Sequence, residues 1–197
     1  MLYSVLRQIV KFIFSILGLK SRGLHNMPDD GAIIVASNHI SMLDPVIVGV
    51  VINRPIHFMA KAELFKYKLL GKLLKKIYVF PVRRGAADRT AIRKSISILN
   101  EGEVLGIFPE GSRNKEGDNM KVQAGTAMIA LKTNSPILPV ACVGTNRKFP
   151  LGWFKPLEVR IGKPIGLGEF LDKKVNSMLL AEVSDLISAE INNLLQE

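Results

Sequence analysis

The run Ser37–Pro45 holds the residues best suited to acid–base chemistry in this chain of 197 residues. The run follows directly on an apolar stretch, Ala32–Ala36, which places His39 at a strand end, and Asp44 stands five positions after His39. An imidazole can serve as a general base, and a carboxylate on one ring nitrogen fixes the tautomer that leaves the other nitrogen free to accept a proton. The spacing therefore predicts a His39–Asp44 pair, provided that the chain turns into a helix near Asp44.

The other two histidines lie in less informative surroundings. His25 and Asp30 have the same separation as His39 and Asp44, but no strand precedes them and Pro28-Asp29-Asp30-Gly31 is a strong turn signal. We expect that pair to lie in a solvent-exposed loop. His57 falls within an apolar run and is expected at the core or the edge of a sheet.

Two further polar runs also follow apolar stretches. In Phe108–Asn114, Gly111 allows a positive φ and a close backbone approach, while Glu110 and Arg113 would project from the loop. In Phe80–Gly85, the paired arginines Arg83 and Arg84 have the planar, forked donors that suit phosphate recognition. Taken singly, each run is equally compatible with an ordinary polar turn.

Regular elements must bring these runs together. Six apolar stretches are predicted as strands: Ala32–Ser37, Ile56–Ala60, Ile77–Val82, Val104–Pro109, Ile137–Val143 and Leu157–Gly162. Helical stretches are predicted between them near 42–52, 62–75, 87–100, 121–133 and 173–196. This alternation predicts a single α/β domain in which helices flank a largely parallel central sheet. All three polar runs then fall where α/β sheets bind ligands, at strand ends.

The N-terminal segment is unusually apolar and basic. In residues 2–18 the polar side chains form one narrow helical stripe that includes Arg7 and Lys11, so the apolar arc is wider than one core contact requires. Residues 1–90 carry 14 basic and 5 acidic side chains. We predict an amphipathic helix on an anionic membrane surface, with packing against the protein body as the alternative. No apolar stretch is long enough to span a bilayer.

Four motifs in order resemble the glycerolipid acyltransferases, specifically the 1-acylglycerol-3-phosphate (lysophosphatidate) acyltransferase family. The Asn-His-x-Ser-x-x-Asp motif matches Asn38 through Asp44, Phe-x-x-Arg matches Phe80 through Arg83, Phe-Pro-Glu-Gly-Thr/Ser-Arg matches Phe108 through Arg113, and a late apolar-proline motif looks like Ile137 through Val140. Two departures are Ile77, where a glycine is frequent, and the additional Arg84. The resemblance divides the chain into an interfacial helix at 1–22 and an acyltransferase-like domain at 23–197.

This resemblance implies transfer of an acyl chain from a thioester, acyl-CoA or acyl carrier protein, to the 2-hydroxyl of a lysophospholipid. His39 would be the general base and Asp44 would stabilise the imidazolium. Substrate-binding roles are implied for Arg83, Arg84, Glu110, Gly111, Ser112, Arg113 and Lys61, with the arginines on the acceptor phosphate and Lys61 near the developing oxyanion. Lys66 to Lys76 alternate with leucines and could form a second basic amphipathic surface, although Gly71 could interrupt a helix there.

Several alternatives remain at this point. The acceptor could be another lysophospholipid or glycerol 3-phosphate, and the basic half could belong to a non-catalytic module that binds anionic lipid or nucleic acid. The basic stretches alternate with aliphatic residues, which disfavours nucleic acid. No metal-ligand spacing and no nucleotide-binding glycine motif occurs, so neither a metal nor a cofactor is expected. The single cysteine, Cys142, fits a reducing compartment, and we expect a peripheral protein at the cytoplasmic face of the cell membrane.

Overall fold

A seven-stranded sheet organises the chain. The computed structural model describes residues 2–83, 88–113, 120–146, 157–170 and 172–197. Its strands, numbered in chain order, are β1 (Leu19–Arg22), β2 (Ile33–Ser37), β3 (Ile56–Lys61), β4 (Val79–Val82), β5 (Val104–Ile107), β6 (Ile137–Val143) and β7 (Leu157–Ile161). They lie side by side in the order β1-β7-β6-β2-β5-β3-β4. All neighbouring pairs are parallel except β6 and β7, so the predicted largely parallel α/β fold is confirmed.

Six α-helices flank this sheet. They are α1 (Leu2–Ile16), α2 (Asp44–Val51), α3 (Lys68–Lys76), α4 (Arg89–Asn100), α5 (Ala124–Thr133) and α6 (Ser177–Gln196). Helix α2 packs on one face of the sheet, in a core that includes Ile47 and Val48 from the helix and Val35 from β2. Helices α4, α5 and α6 cover the other face. Connections between parallel strands are right-handed. Helix α2 connects β2 to β3 and α3 connects β3 to β4, and both connections lead towards the β4 end of the sheet. Helix α3 therefore lies on the same face as α2.

The carboxyl ends of five parallel strands meet at one edge of the sheet, because β2, β3, β4, β5 and β6 all run in the same direction. Strand β2 lies between β6 and β5. The segments that follow β6, β2, β5, β3 and β4 are therefore neighbours in that order. This edge is called the carboxyl edge below, and the three polar runs of the sequence all lie along it.

Helix α1 has three distinct faces. One face, which includes the half-buried Tyr3 and Phe14, packs on α2 and the core beneath it. A second carries polar residues such as Gln8 and Lys11. The third is apolar and unpartnered by any described residue: Val5, Ile9, Phe12, Ile13 and Ile16 are each 49–66% exposed. None of the helices in the described part of the chain combines the length and hydrophobicity needed to cross a bilayer.

The structure differs from the predicted elements in two places. Leu19–Arg22, which was expected to belong to the N-terminal helical segment, forms β1 and pairs in parallel with β7. The helix expected at 62–75 is a 3₁₀ helix, Ala62–Lys66, followed by α3. Gly71 does not interrupt α3. A Cβ at this position would lie 2.9 Å from the Phe65 carbonyl oxygen, so its absence lets α3 pack closely on the 3₁₀ helix.

Candidate active site

The site is centred on the contact between His39 and Asp44. His39 Nδ1 lies 2.8 Å from Asp44 Oδ2. His39 comes just after β2, and Asp44 is the first residue of α2, so the short turn between the strand and the helix folds the carboxylate back onto the ring. Because Asp44 occupies Nδ1, the neutral imidazole presents Nε2 as its proton acceptor. The contact expected from the five-residue spacing is present.

The Asp44 carboxylate is completely buried but well supplied with hydrogen bonds. Its Oδ2 accepts from the backbone N–H groups of Ile40 at 2.8 Å and Ser41 at 2.7 Å, in addition to the His39 ring. Its Oδ1 accepts from the Thr145 hydroxyl. These donors come from the turn itself and from the segment after β6. A buried ionised carboxylate is tolerated when hydrogen bonds replace its water, so this arrangement suits a charged Asp44.

Two side chains of the segment after β5 hold His39 from the other side. Glu110 Oε2 accepts the backbone N–H of His39 at 2.9 Å, and the Phe108 ring stacks on the imidazole with a centroid distance of 4.3 Å. Phe108 in turn stacks on Phe58 of β3. The bond to Asp44 therefore fixes the direction of Nδ1, and the stacking contact with Phe108 fixes the plane of the His39 ring. Glu110, for which the resemblance implied a substrate-binding role, thus contacts the backbone of the run that contains His39 and Asp44.

Asn38 fastens the end of β2 to β6. Its amide nitrogen donates to the Cys142 carbonyl at 3.0 Å, and its amide oxygen accepts the Cys142 backbone N–H at 2.7 Å. The Cys142 side chain is fully buried, and this burial, together with the nearby Asp44 carboxylate, raises the pKa of its thiol to about 12. The thiol stays protonated at neutral pH and is a poor nucleophile. Cys142 therefore contributes packing and backbone contacts to the site.

The loop after β5 is shaped by Gly111. Its φ of 73° lies in the left-handed region, and a Cβ there would lie 2.4 Å from Gln123 Nε2. Gln123 precedes α5 and donates to the Glu110 carbonyl at 3.1 Å. Glycine thus allows Gln123 to bind the loop that carries Glu110. Ser112 and Arg113, which follow, are exposed.

Arg83 lies at the carboxyl end of β4, beside a cavity of about 280 Å³. Asp88 accepts the Arg83 backbone N–H at 2.8 Å and caps α4 through the N–H groups of Thr90 and Ala91. The hydrogen bonds from the Arg83 and Ala91 N–H groups lower the pKa of Asp88. Phe108, which stacks on His39, also lines the cavity. The cavity therefore joins Arg83 to the neighbourhood of His39 and Asp44.

The remaining predicted residues can be placed as follows. Lys61 ends β3 and is in register with Val82, the residue before Arg83, so it shares the carboxyl edge with that arginine. Its side chain is exposed. Arg84 lies outside the described residues. In the described part of the chain, no group of three or more His, Cys, Asp and Glu side chains is arranged to hold a metal ion.

Three residues of this arrangement were not anticipated from the sequence. Thr145 supports Asp44, Gln123 supports the Glu110 loop, and Asp88 supports Arg83. Asp88 carries a recognisable signal, because an aspartate just before a helical run is a typical N-cap. Thr145 could have been noticed as a hydroxyl at a strand end. Nothing near Gln123 in the sequence distinguishes it from a surface glutamine.

Comparison with known proteins agrees with this fold and site. A family model described as Acyltransferase matches residues 18–143. The crystal structure of PlsC from Thermotoga maritima, described as a 1-acyl-sn-glycerophosphate (LPA) acyltransferase, superposes with a TM-score of 0.74. The match covers 99% of this chain and 80% of that chain, at 26% identity.

Two bacterial relatives are also similar in sequence. The 1-acyl-sn-glycerol-3-phosphate acyltransferase of Bacillus subtilis is 32% identical over 200 residues, which cover all of both chains. The protein of the same name from Borreliella burgdorferi is 32% identical over 151 residues, or 75% of this chain and 60% of that one. The match to the family model spans more than half of the chain, and the motifs, the parallel sheet and the His39–Asp44 pair all agree with it. The chain therefore belongs to the acyltransferase family.

Proposed function

We propose that this enzyme transfers an acyl chain from a thioester to the 2-hydroxyl of 1-acyl-sn-glycerol 3-phosphate, which gives phosphatidate. The observation that carries this proposal is the His39–Asp44 pair, with Nδ1 2.8 Å from a fully buried carboxylate at the carboxyl edge of the sheet. The names of the Bacillus subtilis and Borreliella burgdorferi relatives support the choice of acceptor. The donor would be acyl-CoA or acyl carrier protein.

In this mechanism His39 acts as the general base. The proton of the acceptor hydroxyl passes to Nε2 as the oxygen forms a bond to the thioester carbonyl carbon. The carbon–sulfur bond then breaks, and the leaving thiolate takes up the proton from the imidazolium. Asp44 stabilises the imidazolium while it exists, and the hydrogen bonds to its own oxygens hold the carboxylate in place. General-base assistance of this kind contributes about 10²–10⁴-fold to the rate.

The acceptor phosphate is assigned to Arg83 and Arg113. Arg83 lines the cavity beside Phe108, and Arg113 follows the Glu110 loop, so both lie along the edge that carries His39. A guanidinium offers paired N–H donors that match phosphate oxygens. Arg84 and Ser112 are assigned to the same phosphate region, and the Lys61 ammonium to the developing oxyanion.

The acceptor is a membrane lipid, so the enzyme is expected to work at a membrane surface. The third face of α1, from Val5 to Ile16, supports this because about half or more of each apolar side chain is exposed. We assign this face to the acyl region beneath the head groups, at the cytoplasmic side of the cell membrane. Lys11 lies on the polar face, where it can reach lipid phosphates. Arg7, which had been expected to do the same, donates to Asn53 Oδ1 at 3.0 Å.

The direct test is an assay of phosphatidate formation with purified protein, lysophosphatidate and each of the two donors. We expect turnover with at least one donor, and a loss of about 10²–10⁴-fold in His39→Ala. His25→Ala is the matched control, because His25 is an exposed histidine with an aspartate at the same spacing.

Three results would count against parts of this proposal. Normal turnover in His39→Ala would exclude the general-base role. If glycerol 3-phosphate or another lysophospholipid were acylated in preference to lysophosphatidate, the acceptor would be reassigned while the base would stand. A wild-type protein that binds anionic vesicles but acylates no glycerolipid would support a non-catalytic lipid-binding module instead.

A further inference from the structure

A second apolar surface is exposed at some distance from α1 in the sequence. The turn between His39 and Asp44 (the catalytic turn), the start of α2, the 3₁₀ helix and α3 each expose apolar side chains, and these side chains are together called the α2–α3 surface. Its members are Met42, Leu43, Val46, Leu64, Tyr67, Leu69, Leu70 and Leu73. Leu69 is 85% exposed and Met42 is 74% exposed, although burial of such apolar side chains is favourable. A cluster of this kind marks an interaction site.

Helix α3 is held so that its leucines face outwards. Gly71 is its only fully buried residue, and it packs directly on the backbone of Phe65. Leu69 and Leu73 are four residues apart and therefore lie on one face of the helix. Because α3 contacts the 3₁₀ helix through Gly71, which has no side chain, Leu69 and Leu73 remain exposed.

The charge around these leucines indicates an anionic partner. The segment 62–76 contains five lysines, and Lys66 is the one that precedes α3. Lys68, Lys72, Lys75 and Lys76 lie on α3 itself, and Glu63 is the one acidic residue between Ala62 and Lys76. A leucine stripe bordered by lysines is the pattern of a helix that lies in the head-group region of an anionic bilayer.

The α2–α3 surface is on the same side of the sheet as α1. Helices α2 and α3 share a face by the handedness of their crossovers, and α1 packs on α2. The Tyr3 ring of α1 meets the Tyr78 ring, which follows α3, with a centroid distance of 5.2 Å. A single bilayer could therefore contact all three helices.

We propose that the α2–α3 surface is a second bilayer contact, which binds anionic lipid and brings the catalytic turn to the membrane. Met42 and Leu43 lie between His39 and Asp44 in the chain, so lipid at these side chains is adjacent to the base. A lysophospholipid would then reach His39 from the bilayer without passing through water. This inference rests on the proposed function for its substrate, but the lipid contact can be measured without turnover.

The test uses the full-length double variant Leu69→Ser, Leu73→Ser. In sedimentation with vesicles of phosphatidylglycerol and phosphatidylcholine at 3:7, we expect its binding to weaken on the order of tenfold. Acylation of lysophosphatidate in the same vesicles should fall in parallel, while acylation of a short-chain, monomeric lysophosphatidate should stay at the wild-type level. Met178→Ser is the control, because Met178 is 79% exposed but lies on α6, across the sheet.

A second variant guards against misfolding and identifies the partner. Lys72→Glu, Lys76→Glu changes only exposed side chains, and we expect it to lose binding to the anionic vesicles with an unchanged melting temperature. Unchanged vesicle binding in both variants would overturn the proposal. The proposal would also be overturned if the variants kept vesicle binding and lost self-association, because the surface would then bind a second copy of the chain. If the wild type showed no turnover, the proposed function would be refuted. Vesicle binding by the variants would still decide whether the α2–α3 surface contacts lipid.

Discussion

At the scale of single residues, Asp44 is the most constrained side chain of the site. It has no exposed surface, and its oxygens accept hydrogen bonds from the His39 ring, two backbone N–H groups and the Thr145 hydroxyl. Each of these donors also fixes the direction of the carboxylate. The orientation of His39, the proposed base, therefore depends on Thr145, which follows β6 and lies outside the turn between His39 and Asp44.

The first prediction concerns Thr145→Val. Valine fills nearly the same volume but removes the donor to Asp44 Oδ1, so a buried carboxylate oxygen is left without that partner. We expect kcat to fall by about tenfold, which corresponds to about 1.4 kcal/mol, with little change in the KM for lysophosphatidate. Steady-state kinetics on vesicle substrates would measure both constants.

The hydroxyl can be separated from the general effect of a threonine substitution. Thr145→Ser should restore most of kcat, because it returns the donor. Thr133→Val is the matched control, since the Thr133 hydroxyl bonds the Ile129 carbonyl of its own helix at 2.9 Å. A Thr145→Val enzyme with unchanged kcat, or one whose loss Thr145→Ser does not repair, would contradict this account.

The sequence alone could predict the contact between His39 and Asp44 because both residues lie in one short turn after an apolar strand. It could not reveal the contribution of Thr145, which is 101 positions from Asp44 and reaches it only because β6 lies beside β2. Glu110 was recognised as a candidate, but its bond to the His39 backbone depends in the same way on the adjacency of β2 and β5. Contacts between strand ends require the strand order.

At the scale of elements, Asp88 joins a helix to a candidate substrate-binding residue. One carboxylate oxygen caps α4, and the other accepts the Arg83 backbone N–H. We expect Asp88→Ala to lower the melting temperature, because α4 loses its N-cap. The variant should also raise the KM for lysophosphatidate, as Arg83→Ala should do, because the hydrogen bond to the Arg83 backbone is lost. Thermal unfolding and steady-state kinetics of the two variants would be compared.

The control for Asp88→Ala is another N-cap. Asn176 accepts the Leu179 backbone N–H at 2.8 Å and caps α6, which lies across the sheet from α2. Asn176→Ala should cost about 1 kcal/mol of stability and leave the KM unchanged. If both variants raised the KM equally, the effect of Asp88 would reflect general destabilisation, and its role in positioning Arg83 would be excluded.

Most elements were predictable, and the exceptions have physical explanations. The six predicted strands are present because each is an apolar run bounded by turn residues. Strand β1 was missed because Leu19–Arg22 is largely polar and exposed, and its partner β7 begins at Leu157. At α3 the composition predicted a helix correctly from Lys68, but the contact between Gly71 and Phe65 is tertiary and leaves no trace in the local pattern.

At the scale of the whole molecule, the two sides of the sheet have different surroundings. Helices α4, α5 and α6 bury the larger core, whereas α1 and α3 leave apolar side chains uncovered on the opposite side. Residues 1–90, which include α1, α2 and α3, also hold 14 basic against 5 acidic side chains. Helices α1, α2 and α3 themselves carry six basic side chains and one acidic side chain, Asp44, so an excess of basic charge accompanies the exposed apolar side chains on this side.

This asymmetry predicts how salt affects membrane binding. On vesicles that contain phosphatidylglycerol, we expect binding to weaken strongly between about 0.05 and 0.5 M NaCl, because salt screens exposed lysines from lipid phosphates. On pure phosphatidylcholine vesicles binding should be weaker and nearly independent of salt, since the apolar contacts remain. Sedimentation at several ionic strengths would measure this. An equal salt dependence on both vesicle types would contradict the assignment.

The carboxyl edge has a consequence for how this enzyme could diversify. The base comes from the segment after β2, its support from those after β5 and β6, and the candidate phosphate ligand from that after β4. Each contribution is carried by a separate connection on an unchanged sheet. Substitutions in the β4–α4 connection could therefore alter the preferred head group while the proton-transfer machinery is inherited intact, so substrate choice and chemistry are free to evolve at different rates.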